Sequence, residues 1–134
     1  MSVQKTETLP IRSEQDVVSV RQAVKAWALQ LTFSLVDQTK IVTAASELGR
    51  NTLMYGGGGS AKLEMLNEGL RRGLRVTFAD RGPGIPDLDL AMQDGYTSGK
   101  GMGLGLSGSK RLVNEFKIDS RVGEGTTITI TRWK

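Results

Sequence analysis

Glycine placement constrains the fold of this chain more than any other feature: 17 of its 134 residues are glycine. Most of them fall into four clusters, which are Gly56–Gly59, Gly82–Gly84, Gly95–Gly108 and Gly123–Gly125. Patterned apolar segments separate the clusters, so this is not the composition of a flexible linker. Glycine suits places where the main chain turns sharply or is approached closely. The sequence therefore predicts one domain, residues 1–134, with several sites formed by the backbone.

The residue types that are absent exclude several kinds of chemistry. The chain contains no cysteine and no histidine. Disulfides, thiolate nucleophiles, Ser-His-Asp triads and zinc sites built on His or Cys are therefore excluded. The carboxylates remain as candidate general bases, and a bound metal would be a hard cation on oxygen ligands, such as Mg²⁺.

The charge and hydropathy patterns limit the partners and the location. The net charge is +4, but aromatic residues are scarce and basic residues occur at most in pairs, such as Arg71-Arg72. Nucleic acid is therefore a disfavoured partner, and anionic small molecules or acidic protein surfaces fit the charge equally well. No apolar run approaches the ~18 residues of a membrane span, and the first eleven residues lack a signal-peptide core. We expect a cytoplasmic protein.

Apolar spacing and capping residues predict the helices. Ser13 and Ser34 are predicted N-caps, and apolar residues at helical spacing follow each of them. The predicted helices span about 14–31 and 35–55, with a short helix within Asp87–Gln93 and a last helix at about 103–115. The last one is predicted from the spacing of Leu104, Gly108, Leu112 and Phe116.

The strands are predicted mostly as hairpins. Thr6–Arg12 reads as an edge strand, and alternating residues mark Ala61–Leu66 and Leu74–Asp80. Ile118–Val122 and Thr126–Trp133 flank a glycine turn and predict a β-hairpin. Strands in hairpins and helices in groups favour an α+β two-layer sandwich, in which helices cover one face of a mixed, mostly antiparallel sheet.

Glu47 and Asn51 form the first candidate site, on the second helix. They lie four residues apart and so share one helix face, at the rim of the core beside the apolar stripe. The Asn51 amide oxygen is a hard neutral acceptor that suits Mg²⁺, and a partly shielded carboxylate at Glu47 suits contact with a ligand. A solvated helix face with an incidental Glu–Asn pair explains the same spacing.

The segment Asp80–Pro86 is the second candidate site. A carboxylate at a strand end, followed by glycines, lets a flat ligand approach the backbone while Asp80 accepts a hydrogen bond from an amine, such as that of adenine. A type II turn whose Asp caps the next segment is the alternative.

The glycine-rich segment Gly99–Gly108 is the third candidate. Glycines that run into a helix N-terminus present free backbone N–H groups, which suit phosphate. The segment does not fit a dinucleotide fingerprint, because no strand precedes it, and its spacing does not fit a P-loop. A flexible loop before a tightly packed helix start is the alternative. Gly123–Thr126 is explained by a hairpin turn, although the Thr126 hydroxyl could contact a polar ligand group.

The order of these motifs along the chain resembles one family. Ser46–Asn51, Asp80–Pro86, Gly101–Gly108 and Gly123–Thr126 together are similar to the GHKL ATP-binding superfamily of gyrase, histidine kinases and related ATPases. The resemblance covers residues from about 13 to 133. The short length and the Glu-Leu-Gly-Arg-Asn motif look closest to the anti-sigma-factor serine/threonine kinases, and among these to the RsbT-type switch kinases.

The resemblance implies roles for the residues of the first two sites. Asn51 would hold Mg²⁺ between the phosphates of ATP, and Glu47 would be the catalytic base. Asp80 would take the adenine amine, while Gly82 and Gly84 would let the base approach.

The resemblance also implies a phosphate site and a lid. Gly101, Gly103 and Gly105 would bind the phosphates, Asp94–Gly101 would form a mobile lid, and Thr126 would join the hydrogen bonds on the adenine side. The run Gly56–Gly59 departs from the family pattern and is expected to loosen whatever contact the family makes there.

The implied function is an ATP-dependent serine/threonine protein kinase that works as a partner-switching regulator. It would phosphorylate an antagonist protein of the STAS fold and bind and activate a PP2C-type phosphatase. The alternative is an anti-sigma factor or another nucleotide-gated module that sequesters its partner. The absence of histidine excludes autophosphorylation on that residue. The sequence leaves open whether the chain forms a homodimer.

Overall fold

The computed structural model describes residues 1–93 and 105–134. These residues form five strands and four helices, in the order predicted from the sequence. Along the chain they are β1 (Ser2–Ile11), α1 (Glu14–Gln30), α2 (Leu35–Met54), β2 (Gly59–Glu68), β3 (Arg71–Asp80), α3 (Leu88–Ala91), α4 (Gly105–Arg111), β4 (Glu115–Arg121) and β5 (Gly125–Trp133).

The five strands form one sheet in the order β1-β2-β3-β5-β4. Every pair of neighbouring strands is antiparallel, and β1 lies at one edge, as predicted. The inward residues of adjacent strands pair across the sheet; Leu63 lies opposite Val76, and Val76 lies opposite Ile130. These side chains are buried, and α1 and α2 pack over the same face. The predicted α+β two-layer architecture is confirmed.

Both long helices begin at the predicted caps. The Ser13 hydroxyl accepts a hydrogen bond from the Asp16 amide at 3.2 Å, and the Ser34 hydroxyl accepts one from the Asp37 amide at 3.1 Å. Each bond satisfies one of the free N–H groups of a first helical turn, which explains why the helices start there. None of the described helices combines the length and apolar character that a membrane span requires.

The last helix is shorter than the predicted span of 103–115, and its predicted start lies outside the described residues. It ends at Arg111, and Phe116 lies in β4 rather than on a helical stripe. A spacing of four residues fits both a helix face and an alternating strand, so Leu112 and Phe116 did not distinguish the two. Pairing with β5 decides the outcome, because Phe116 lies opposite Ile130 and the Asn114 amide donates to the Thr131 carbonyl at 2.9 Å.

A partly buried ion pair crosses the sheet face that the helices leave open. The Arg75 guanidinium donates to both carboxylate oxygens of Glu64, at 2.9 and 3.1 Å, from the neighbouring strand. The hydrogen bonds from Arg75 hold the pKa of Glu64 below its ordinary value of 4.5, although burial opposes the shift. Two parallel hydrogen bonds between charged groups make this pair stronger than an ordinary surface ion pair.

Replacing Glu64 with glutamine is expected to lower the free energy of unfolding by about 1–3 kcal/mol at pH 7. Because folding lowers the pKa of Glu64, its contribution is complete above about pH 4.5 and is lost as the pH falls through the lowered pKa. The difference between wild type and Glu64→Gln should therefore shrink in acid, as measured by urea unfolding at a series of pH values.

Glu68→Gln is the matched control for this experiment. Its partner Arg71 is 51% exposed and Glu68 itself is 46% exposed, so the loss should stay below about 1 kcal/mol. Asp37, whose pKa is lowered chiefly by its hydrogen bond with Arg132, is present in all three proteins, so its effect cancels. A Glu64→Gln deficit that does not change between pH 7 and pH 3 would contradict the assignment.

Candidate nucleotide-binding site

A cavity of about 430 Å³ opens between α2, the end of β3 and the segment that carries α3. This volume lies within the range of about 300–1,000 Å³ that is typical of small-molecule sites. Its walls are mainly apolar and come from elements far apart in the sequence. They include Leu48, Thr52, Tyr55, Phe78, Pro83, Ile85, Pro86, Leu90, Ala91, Leu106 and Ile128.

Three predicted site residues bring polar groups to this apolar cavity. Asn51 lies on α2, Asp80 ends β3 and Thr126 lies near the start of β5. Gly84 and Gly105 also line the cavity. An apolar wall with a few converging polar groups is the arrangement that binds a flat, partly polar ligand.

Glu47 lies one helical turn before Asn51 and does not belong to the cavity wall formed by the described residues. Its side chain is only 12% exposed, and a carboxylate oxygen lies 3.4 Å from Arg50 Nη1 on the same helix. That contact is long, and the Arg50 side chain is 43% exposed, so the pair is a weak one. Glu47 is therefore a shielded carboxylate beside the cavity.

Asp80 is held by the backbone on both sides of it. Its Oδ1 accepts hydrogen bonds from the Gly82 amide at 2.9 Å and from the Thr126 amide at 3.2 Å. Among the described residues no donor contacts Oδ2. The carboxylate thus has one oxygen fixed by the protein and a second oxygen with an unused acceptor capacity.

The loop after β3 is fastened to the hairpin of β4 and β5. The Gly123 amide donates to the Pro83 carbonyl at 2.8 Å, and the Ile85 amide donates to the Ser120 hydroxyl at 2.8 Å. Gly84 has φ +77°, and a Cβ there would lie 2.3 Å from the Arg121 carbonyl oxygen. The structure thus requires glycine at position 84 for close packing of two loops.

Gly82 has a packing role as well and does not line the cavity. A Cβ at this position would lie 2.7 Å from Gly56 Cα.

Thr126 is fixed by its hydroxyl, which lies 2.7 Å from the Ser120 hydroxyl. The roles of Gly82, Gly84 and Thr126 toward a bound base remain predictions.

Of the three glycines predicted to bind phosphate, only Gly105 lies within the described part of the chain. It has φ +68° and begins α4 next to the cavity. Gly101, Gly103 and the predicted lid Asp94–Gly101 lie outside the described residues. The predicted phosphate site therefore stays a prediction.

The expectation that Gly56–Gly59 loosens a contact of the family stays a prediction, whereas the two outer glycines of this chain are closely packed. A Cβ at Gly56 would lie 2.4 Å from Asp80 Cγ, and one at Gly59 would lie 2.0 Å from the Ala79 carbonyl oxygen. Gly57 and Gly58 have φ of +73° and +102°, which only glycine adopts at little cost. The run turns the chain out of α2, and Gly56 and Gly59 pack closely against the end of β3.

Sequence reasoning missed Gly56 and the apolar walls of the cavity. The position of Gly56 could have indicated its role. It lies five residues after Asn51, just past the end of α2, and the strand that follows, β2, pairs with β3. Leu90 and Leu106 come from helices too short to give a clear periodic pattern.

The described residues at the cavity could hold Mg²⁺ only if a bound ligand supplied further oxygen atoms to the metal. The described residues include no group of three acidic side chains that could hold a metal ion. Asn51 offers one amide oxygen at the cavity, and no described residue bonds its side chain. Mg²⁺ commonly takes one or two protein ligands and completes its shell with phosphate oxygens and water, so Asn51 fits that mode.

Comparison with known proteins identifies relatives over nearly the whole chain. The serine/threonine-protein kinase RsbT of Bacillus subtilis (strain 168) is 43% identical over 123 residues, which cover 92% of each chain. The anti-sigma F factor of Clostridium kluyveri is 29% identical over 128 residues, covering 91% of this chain and 89% of the relative.

Solved structures share the fold. The RsbU and RsbW domains of Rv1364c from Mycobacterium tuberculosis match 98% of this chain and 33% of that one, with a TM-score of 0.68 and 21% identity. The SiaB–SiaC complex from Pseudomonas aeruginosa contains a chain that matches with a TM-score of 0.56 and 13% identity, covering 98% of this chain and 91% of that one.

The family described as histidine kinase-, DNA gyrase B- and HSP90-like ATPases matches residues 36–134, which include all of α2 except Leu35 and every polar residue of the cavity. The predicted resemblance is confirmed, and the predicted enzyme class is that of the Bacillus subtilis relative. The chain belongs to the histidine kinase-, DNA gyrase B- and HSP90-like ATPase family.

Proposed function

We propose that this chain is an ATP-dependent serine/threonine protein kinase that acts as a partner-switching regulator. The observation that carries the proposal is the convergence of Asn51, Asp80 and Thr126 on one apolar cavity. The likeness to a serine/threonine-protein kinase over 92% of the chain supports the same activity.

In this proposal the adenine base enters the apolar cavity and its exocyclic amine donates to Asp80 Oδ2. That oxygen is the one without a protein donor among the described residues, because Gly82 and Thr126 already occupy Oδ1. The loop Arg81–Pro86 and the β4–β5 hairpin hold the carboxylate in place, so little ordering is needed when the nucleotide binds.

Asn51 would hold Mg²⁺ together with the phosphates, for which Gly101, Gly103 and Gly105 remain the predicted backbone donors. When bound, Mg²⁺ supplies positive charge that neutralises the phosphate oxygens. Glu47 would orient the hydroxyl of a serine or threonine of the partner protein and accept its proton as that oxygen attacks the γ-phosphorus and ADP leaves. Phosphoryl transfer depends mainly on positioning and charge stabilisation, so a small domain suffices.

The substrate proposed from the family resemblance is an antagonist protein of the STAS fold. Incubation of the chain with Mg²⁺, γ-labelled ATP and such a protein should transfer label to serine or threonine. Absence of label, at a chain concentration where ATP binding is measured directly, would contradict the kinase activity.

A second function, nucleotide-gated sequestration of a partner, is favoured by the similarity to anti-sigma F factors. In one version the chain sequesters a sigma factor, and in another it binds and activates a PP2C-type phosphatase. Both functions fit one protein if ATP changes the surface that the partner contacts. Capture of the candidate partner with and without ATP, paired with the transfer assay, separates binding from catalysis.

Asp80→Asn should abolish the preference for ATP over ITP, which carries a carbonyl oxygen in place of the adenine amine. The Gly82 and Thr126 amides require an acceptor, so the new amide places its oxygen at Oδ1 and its NH₂ at Oδ2. That NH₂ opposes the adenine amine and suits the carbonyl of ITP. We expect ATP affinity to fall about tenfold or more by calorimetry. An unchanged ATP-to-ITP ratio would contradict the role of Asp80.

A further inference from the structure

Gly56 is the residue whose surroundings bear most directly on the position of Asp80. A Cβ built on Gly56 would lie 2.4 Å from Asp80 Cγ, 2.5 Å from Oδ2 and 2.6 Å from Cβ. All three separations are far below van der Waals contact, so a side chain at position 56 and the observed Asp80 carboxylate exclude each other.

The backbone of Gly56 is not what requires glycine. Gly57 and Gly58 have positive φ, whereas Gly56 does not. An alanine at position 56 would therefore be disfavoured only by the clash of its methyl group. An alanine at position 57 would be disfavoured only by its backbone angle, because a Cβ there meets nothing within 4 Å. Comparing Gly56→Ala with Gly57→Ala thus distinguishes the effect of the local clash with Asp80 from a general loss of stability.

Asp80 cannot yield to such a methyl group without losing its own contacts. Its Oδ1 binds the Gly82 and Thr126 amides, so a rotation away from position 56 would leave both amides without that acceptor. Gly82 also packs against Gly56, because a Cβ on Gly82 would lie 2.7 Å from Gly56 Cα. The Asp80 carboxylate is therefore confined by the backbone of Gly56 on one side and by its hydrogen bonds with the Gly82 and Thr126 amides on the other.

We propose that Gly56 is a positioning residue for base selectivity: its missing side chain is what allows Asp80 Oδ2 to face the nucleotide base. This inference rests on the proposed function, in which Asp80 recognises adenine. A residue that acts in this way should change the preference between bases, and not merely the stability of the fold.

The test compares the affinities of wild type, Gly56→Ala and Gly57→Ala for ATP and for ITP by calorimetry in excess Mg²⁺. In Gly56→Ala we expect ATP affinity to fall about tenfold and the ATP-to-ITP ratio to approach one, as in Asp80→Asn. Gly57→Ala should melt at a lower temperature and keep the wild-type ratio. A wild-type ratio in Gly56→Ala would overturn the inference.

A second measurement covers the case in which Gly56→Ala does not fold. The pair Gly56→Ala/Asp80→Gly is compared with Asp80→Gly alone, because Asp80→Gly removes the three atoms nearest the methyl group but also the acceptor of the Gly82 and Thr126 amides. We expect the pair to melt close to Asp80→Gly, and a pair that is much less stable than Asp80→Gly would reject the clash with Asp80. A wild-type chain with no preference for ATP over ITP would instead reject the proposed recognition of adenine, which keeps the two failures distinct.

Discussion

Replacing Glu47 with glutamine should lower the rate of phosphotransfer by about 10²–10⁴-fold while Mg·ATP affinity stays near wild type. The amide is the same size but cannot take a proton from the attacking hydroxyl. Glu47 lies outside the described wall of the cavity, so loss of its charge leaves the nucleotide contacts in place. Transfer of label from ATP and a parallel binding titration measure the two quantities.

Arg50→Gln is the control that tests whether Glu47 acts as a base or only through its ion pair with Arg50. If Glu47 acted only through its 3.4 Å contact with Arg50, this variant would reproduce the loss of rate. We expect instead a rate within a few-fold of wild type, because a contact this long to an Arg50 side chain that is 43% exposed contributes little. Unchanged turnover in Glu47→Gln would remove Glu47 from the catalytic role.

Replacing Asn51 with alanine should weaken Mg·ATP binding by about tenfold or more. The amide oxygen is the protein ligand proposed for Mg²⁺, and the described residues offer no acidic cluster that could replace it. Because the proposed contact is with the metal, ATP affinity measured in EDTA should be similar in wild type and variant. Calorimetry with and without Mg²⁺ measures both affinities.

Asn51→Asp provides the matched variant for this position. A carboxylate of the same shape can still ligate Mg²⁺, so Mg²⁺ should continue to raise ATP affinity in this protein. An Asn51→Ala protein that binds Mg·ATP as tightly as wild type would exclude the metal role.

The order of elements was predictable because their local signals agree with the tertiary structure. Ser13 and Ser34 cap the helices in the structure as they do in the sequence pattern. Alternation placed Leu63 and Val76 on the buried face of the sheet. The boundary between α4 and β4 was not predictable, since the spacing of Leu112 and Phe116 fits both states and only pairing with β5 distinguishes them.

The sequence by itself determined the antiparallel two-layer fold and the identities of Asn51, Asp80 and Thr126 as cavity residues. The fold follows from periodicity and capping, which are local properties of the chain, whereas the three residues were singled out by motifs whose order resembles a known family. Only the tertiary structure decided why Gly56 must lack a side chain and why Gly82 and Gly84 must too. Each of these glycines is constrained by atoms of a segment distant in sequence, at separations of 2.3–2.7 Å that no local pattern encodes.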